Sequence, residues 1–390
     1  MDFQNFLARF SLNSGLVDKL GFNPYYPAIQ SALVDPIILN GTEFINLASN
    51  NYLGLADEPR IKEAAKKAID EYGLSFCATP IAGGACSLYQ EASQRLNDFT
   101  GVEDSILYPS CYQANNAVFK VLAGPVDVIL ADHFAHSSLI EGIKSSTAKF
   151  RPFLHNNLGH LEDNLKKCSS HEQIFVVTES VFSTEGTLAP LAAMNNLCLK
   201  YNAILVIDDS HGIGLIGPNG RGAAFGLENF HGIYTASLGK AIANAGGMIG
   251  GNKKIIDFIR YNSSHLIYST AIVPPVLGGI IKSIEIIEAE FESLSRKIFA
   301  YKKIISDALV SSGFHCTASE APIMSIKAGS SEQTLLLAQM FFDNNILTTP
   351  FIYPSVPEKQ GKIRLIAGAN LKQENIEKAA AIIHSFKKPL

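Results

Sequence analysis

The chain has 390 residues, of which 47% are hydrophobic, and its formal net charge is only −4; that length accommodates one large domain and a smaller one. Near-neutral charge without a long basic run speaks against nucleic acid or an anionic membrane surface as the main partner, and no apolar stretch reaches the roughly 20 residues that stable membrane insertion needs. The six cysteines, Cys77, Cys86, Cys111, Cys168, Cys198 and Cys316, are scattered without a C-x-x-C pair. A disulfide framework or zinc site is therefore not expected, and reduced thiols in a cytoplasmic protein are.

In chain order, the N-terminus MDFQNFLARFSL lacks a basic start followed by an apolar run, so no secretory signal is expected. Phe3, Phe6, Leu7 and Phe10 fall at helical spacing and predict a small amphipathic docking helix. Through the middle, short β-rich runs alternate with helix-length segments. Strands are expected at Ser105 to Tyr108, Val126 to Leu130, Ile174 to Thr178, Ile204 to Asp208, Ile233 to Ala236 and Met248 to Gly250, with helices such as Gln113 to Leu122 and Leu191 to Tyr201 between them. The alternation predicts an α/β fold with a large, mainly parallel sheet covered by helices on both faces. A long helix from about Pro275 to Ser312 follows two prolines that set its start. Beyond it, Ile323 to Ile326, Thr334 to Asp343, Ile363 to Ile366 and Gln373 to Phe386 read as strand, helix, strand, helix. The expected division is an N-terminal segment over 1–45, a large domain over 46–285 and a small C-terminal α/β domain over 286–390.

Sites in open parallel sheets lie beyond the carboxyl ends of the strands, and the unusual residues fall there. In TASLGKAIANAGGMIGG, Lys240 follows a strand directly and is surrounded by small residues that let a bulky ligand approach the backbone. In AILVIDDSHGIGLIGPNGRG, Asp208, Asp209 and His211 end an otherwise apolar strand; a carboxylate there can hold a proton on a heteroaromatic nitrogen. Gly212, Gly214 and Gly217 match the G-x-G-x-x-G dinucleotide pattern. Pro218-Asn219-Gly220 follows at once, however, and reads as a turn where that pattern requires a helix. In YPSCYQANNAVFKVL, Ser110 can cap a helix whose first N–H groups suit a phosphate. Cys111 in the same segment admits a thiolate acyl-transfer reading, but the sequence selects no base for it. In LADHFAHSSLIEGIKSS, His136 lies between a strand end and a helix, where it can lie flat over a ligand or serve as a cap.

These elements together resemble the α-oxoamine synthases, a branch of the fold-type-I pyridoxal phosphate enzymes. The likeness runs in family order through NLASNNYLGLA, SCYQAN, DHFAH, TESVFSTEGTLAPL, VIDDSHGIGLIGPNGRG, TASLGK and YSTAIVPP, from about Asn46 to Arg364. It implies a pyridoxal 5'-phosphate held on Lys240, which also shuttles a proton. It implies that Asp208 pairs with the ring nitrogen, His211 and Ser183 contact the ring hydroxyl with Glu179 nearby, and His136 stacks on the ring. The backbone at Cys111 and Tyr112, with Ser237, is implied to cradle the phosphate, and Thr270 to reach the phosphate of a partner subunit in a homodimer. Asn51 is implied to face substrate, and Arg364 to hold an amino acid carboxylate. The implied reaction joins an amino acid to an acyl-CoA, with loss of CoA and CO2, to give an α-amino ketone. The cofactor is the electron sink, and the protein supplies orientation and electronics.

The segment GLSFCATPIAGGACSLYQEASQRL departs from the family pattern, with Pro80 at an arginine position, Tyr89 at a histidine and Ala92-Ser93 at Leu-Glu. LVDKLGFNPYYPAIQ lacks the arginine with which biotin-pathway members bind a substrate carboxylate. FAHSSLIEG, HNNLGHL and RLIAGANLKQENI resemble the quorum-sensing autoinducer synthases, long-chain acyl users, and NPYY and NNYLGL resemble serine palmitoyltransferase. 8-Amino-7-oxononanoate synthase is the alternative within the family. From other classes, an aminotransferase would share the lysine and aspartate, and a non-catalytic cofactor-binding regulator would have no need of both His136 and Arg364.

Overall fold

The computed structural model describes residues 3–7 and 15–386. Its centre is a seven-stranded sheet built from β1 (Asp104–Tyr108), β2 (Val128–Asp132), β3 (Lys149–Phe153), β4 (Ile174–Glu179), β5 (Ala203–Asp208), β6 (Ile233–Ser237) and β7 (Gly247–Gly251). The spatial order is β1-β7-β6-β5-β4-β2-β3. Only β7 runs antiparallel to its neighbours, while β2 to β6 are parallel. The central strands are apolar along their length, as in Ile174-Phe175-Val176-Val177, because helices cover both faces of the sheet.

Six of these strands and the two intervening helices stand where the sequence predicts them, with ends moved by a residue or two. The strand Lys149–Phe153 was not expected. It lies at the sheet edge, exposed at four of its five positions, and charge and proline on an edge suppress the apolar alternation by which strands are recognised.

The helix Pro274–Ser311 runs unbroken for 38 residues. Leu277 to Ile298 belong to the core beside the large sheet, whereas Tyr301, Ile305, Ala308 and Leu309 belong to a second core formed with the C-terminal elements. The boundary expected at 285/286 thus falls within the helix. In the C-terminal part, Met324–Gly329, Gly361–Leu365 and Thr349–Phe351 form an antiparallel sheet backed by the helices Ser331–Asp343 and Gln373–Ser385. The N-terminal strand Thr42–Asn46 joins this region by pairing with Ile346–Leu347. At the N-terminus, Phe3–Leu7 is helical and Phe3, Phe6 and Leu7 are exposed; Phe10 lies outside the described residues. Among the described residues no helix is long and apolar enough to cross a membrane.

The outer edge of β1 gives a physical reason for two of the departures in the 73–96 segment. The Tyr89 hydroxyl accepts from the Leu107 N–H at 2.9 Å and donates to the Leu107 carbonyl at 3.2 Å. Ser93 donates to the Ser105 carbonyl at 3.2 Å. Tyr89 and Ser93 therefore satisfy backbone groups that an edge strand otherwise leaves unpaired.

Candidate active site

Four neighbouring parallel strands, β6, β5, β4 and β2, end side by side, and each delivers functional groups just past its carboxyl end. β6 leads to Ser237 and Lys240, β5 to Asp208 and His211, β4 to Glu179 and Ser183, and β2 to His136. On the far side, Arg364 sits in the strand Gly361–Leu365 of the small domain.

Burial lowers the pKa of Lys240, while the charges of Asp208, Cys111 and Glu179 oppose the fall and Arg364 adds to it. The amine is thus drawn towards the neutral, nucleophilic form. Asp208 is buried and doubly held, accepting from the Asn115 side chain at 2.7 Å and from the Ser210 N–H at 2.9 Å. Asn115 is fixed in turn, since its carbonyl oxygen accepts from Thr235 at 2.7 Å and its amide also donates to Ser138 at 2.9 Å. Ser138 hydrogen-bonds to Nδ1 of His136 at 2.8 Å. One buried network therefore fixes both the carboxylate and the histidine.

His136 caps the helix Ser137–Ser145, with Nδ1 accepting from the Ser138 N–H. That leaves the proton of a neutral ring on Nε2. Although part of the residue reaches solvent, burial of the ring lowers its pKa, and Lys240 lowers it further against the opposing pull of Asp208. His211 is buried 2.7 Å from the Tyr52 hydroxyl, and burial followed by the charges of Lys240 and Arg364 holds it well below the usual histidine range. Glu179 accepts from the His136 backbone N–H at 2.8 Å; burial, then Asp208, raises its pKa well above that of a free carboxyl.

Ser110 caps the helix Cys111–Leu122, leaving the first N–H groups of Cys111 and Tyr112 directed out of the helix start. β7 passes this helix end so closely that a Cβ at Gly247 would stand 2.4 Å from the Cys111 nitrogen. Burial, then the charge of Asp208, raises the Cys111 thiol far out of the thiolate range, so the thiolate acyl-transfer reading fails. The Tyr112 hydroxyl is spent on Glu141. Ser237 accepts from the Gly239 N–H at 3.3 Å, and Thr270 is exposed. Asn51 is buried, with its amide nitrogen unpartnered. Arg364 is buried, donates to the Ser183 carbonyl at 3.1 Å and has no partner for Nε. The dinucleotide reading fails as expected, because Gly217 leads into the short turn Pro218–Gly220 and no helix follows.

Lys240, Asp208, Glu179, His136, His211, Cys111 and Arg364 form one electrostatically linked group. Sequence reasoning missed Asn115, Ser138 and Tyr52, although all three lie inside or beside quoted blocks; Asn115 and Tyr52 meet partners remote in sequence, and Ser138 joins the network through Asn115. Asp209 has a different task from Asp208. It accepts from Ser180, the Ala223 N–H and the Tyr234 hydroxyl and so anchors the 210–223 loop.

Burial raises the Asp209 pKa from 3.8 to about 6. Between those values the folded protein keeps a proton that the unfolded chain has lost. The resulting stability is full below about 3.8 and is lost as pH rises through about 6. In urea titrations, wild type should lose stability relative to Asp209→Asn over that window. A difference that stays flat with pH counts against this titration.

The residues present fit a pyridoxal phosphate. Free N–H groups at a helix start suit its phosphate, Asp208 can keep its ring nitrogen protonated, and Lys240 offers an amine. The family described as aminotransferase class I and II matches residues 42–383. An 8-amino-7-oxononanoate synthase from Bacillus velezensis is 31% identical over 90% of both chains. A 2-amino-3-ketobutyrate coenzyme A ligase from Escherichia coli is 31% identical over 91% of this chain and 90% of its own. A serine palmitoyltransferase from Sphingobacterium spiritivorum is 29% identical over 98% and 96%. Among solved structures, a serine palmitoyltransferase from S. paucimobilis superposes with a TM-score of 0.91 at 23% identity, covering 98% of this chain and 96% of its own, a likeness of fold. With near-complete coverage at this identity, the chain belongs to the α-oxoamine synthases, the pyridoxal 5'-phosphate-dependent acyltransferases within the class I and II aminotransferase family.

Proposed function

We propose that this α-oxoamine synthase joins an amino acid to a medium- or long-chain acyl-CoA, as an autoinducer synthase does, and works as a homodimer. The bound cofactor supplies the electron sink for a carbanion at the amino acid α-carbon. Lys240 holds the cofactor and takes the α-proton, a role supported by its depressed pKa. Asp208 keeps the ring nitrogen charged, His136 covers one face of the ring, with Glu179 behind it, and His211 and Ser183 meet the ring hydroxyl. The Cys111 and Tyr112 N–H groups and Ser237 take the phosphate, and exposed Thr270 reaches the phosphate of the second subunit. Asn51 offers its unpartnered amide to substrate, and Arg364 offers its free Nε to the amino acid carboxylate.

The choice of acyl group rests on the arginines. Arg364 is the arginine whose charge reaches Lys240 and His211. Arg60, Arg95 and Arg260 pair with carboxylates elsewhere, and Arg221 donates to the carbonyls of Asp98 and Phe99. With Arg364 given to the amino acid, none of these arginines is left for a carboxylate at the end of the acyl tail, and the two others described, Arg151 on the edge strand and Arg296 on the long helix, are exposed and do not contribute to the electrostatics of Lys240 or His211. Each buried methylene of an uncharged tail contributes about 0.8 kcal/mol. Thiol release and product mass over a panel of amino acids and acyl-CoAs should favour octanoyl or longer chains over pimeloyl-CoA. The relatives named 8-amino-7-oxononanoate synthase support a second reading, in biotin biosynthesis; preference for pimeloyl-CoA would establish it in place of the first. Amino-group transfer without thiol release would instead point to an aminotransferase.

A further inference from the structure

After β4 the chain makes a tight hairpin in which Val181 bridges to Leu188 and the Phe182 N–H bonds to the Thr187 carbonyl. At its tip, four successive carbonyls receive side-chain donors from the small domain. Arg364 donates to Ser183, Ser325 to Thr184, Thr317 to Glu185 and Ser319 to Gly186. The Glu185 carboxylate also pairs with Lys362, whose ammonium lies 5.9 Å from the Phe134 ring centroid of the large domain. Side chains two apart on a strand share a face, so Lys362 and Arg364 reach the turn together. Ser325 stands directly opposite Arg364 across the strand pair. Gly186 has φ +71°, and a Cβ there would stand 2.2 Å from the Ser319 hydroxyl; only glycine allows this approach without strain. Inside the turn, the Ser183 N–H bonds to Glu179, which also holds the His136 backbone. The Ser183 residue thus links Arg364 to the cofactor-side groups.

A buried polar contact of this density does not arise from surface complementarity alone. Lys362, Glu185, Ser325 and Arg364 are each less than a tenth exposed; the charges of Lys362 and Glu185 match one another, and Ser325 and one arm of Arg364 donate to turn carbonyls. We propose that the Ser183–Gly186 turn is an inter-domain latch that sets the guanidinium of Arg364 at the distance from Lys240 required by an amino acid. Glu185, Lys362 and Ser325 are positioning residues; they select the substrate through Arg364 and do not touch it. This inference rests on the reading of Arg364 as the carboxylate anchor.

The test uses the holoenzyme and follows the cofactor absorbance during titration with L-alanine, L-serine and their carboxylate-free counterparts ethylamine and 2-aminoethanol. Glu185→Gln should weaken binding of the amino acids about ten-fold, equivalent to about 1.4 kcal/mol, while amine binding changes less than about two-fold. The paired variant Glu185→Gln/Lys362→Met removes both charges of that pair together, and Ser325→Ala removes one hydroxyl; both should show the same selectivity if the single variant does not fold. Loss of amino acid and amine binding in equal measure, or no loss of either, overturns the latch. Arg364→Lys separates the two ideas. If it leaves amino acid affinity intact, the anchor reading itself fails; if it lowers that affinity while the latch variants do not, only the latch fails.

Discussion

Lys240→Ala should lower condensation, read as thiol release from acyl-CoA in the presence of amino acid, by at least about 10³-fold, in line with the loss of a positioned acid–base group. It should also abolish the cofactor linkage that borohydride traps in the wild type. The size of the effect follows from the surroundings of the amine. Burial favours its neutral form, and Asp208 and Glu179 keep it within reach of a proton. Among the described residues, Lys240 is the lysine whose charge is felt by His136, His211 and Glu179. Added primary amines should restore part of the rate, because the missing function is proton transfer at one position. Normal turnover by the alanine variant would refute the mechanism.

Asp208→Asn should be nearly as damaging to the rate, by about 10² to 10⁴-fold, and for two separate reasons. The charge that keeps the ring nitrogen protonated disappears. The site also loses its match, because one carboxylate oxygen takes the Asn115 amide and the other the Ser210 N–H. An asparagine has a single oxygen, so in either orientation its amide nitrogen faces a donor. A stability loss of about 1–3 kcal/mol is expected from that mismatch. Asn115→Leu should share part of the rate loss while leaving the Asp208 charge in place. Comparing the cofactor absorbance spectra of the two variants separates charge from orientation; identical spectra would show that the charge is not felt by the ring.

Much of this arrangement is legible in the chain because the chemistry sits where local signals change. Lys240, Asp208, His211, Glu179 and His136 each interrupt or follow an apolar strand, and six strands were recognisable from β-branched runs. The edge strand Lys149–Phe153 was hidden because exposed charge and Pro152 replace the alternation. Asn115 was hidden for a different reason. On a helix it reads as an ordinary polar residue, and its value comes from Thr235, Ser138 and Asp208, which the fold alone brings to it. The same holds for Tyr52, whose partner His211 is 159 residues away. Tyr89 and Ser93 stand out in the chain as departures from the family pattern, and in the fold they finish a sheet edge. Patterns of period and punctuation reveal elements; pairings across the chain do not announce themselves.

The helix Pro274–Ser311 has a mechanical consequence. At about 1.5 Å per residue it is a strut roughly 57 Å long, rooted at one end beside the large sheet and at the other among the C-terminal elements. No flexible joint interrupts it, so the two lobes cannot swing freely about this connection. Any closing movement has to flex the strut or slide side chains along it, and denaturation of either lobe would strip support from the other.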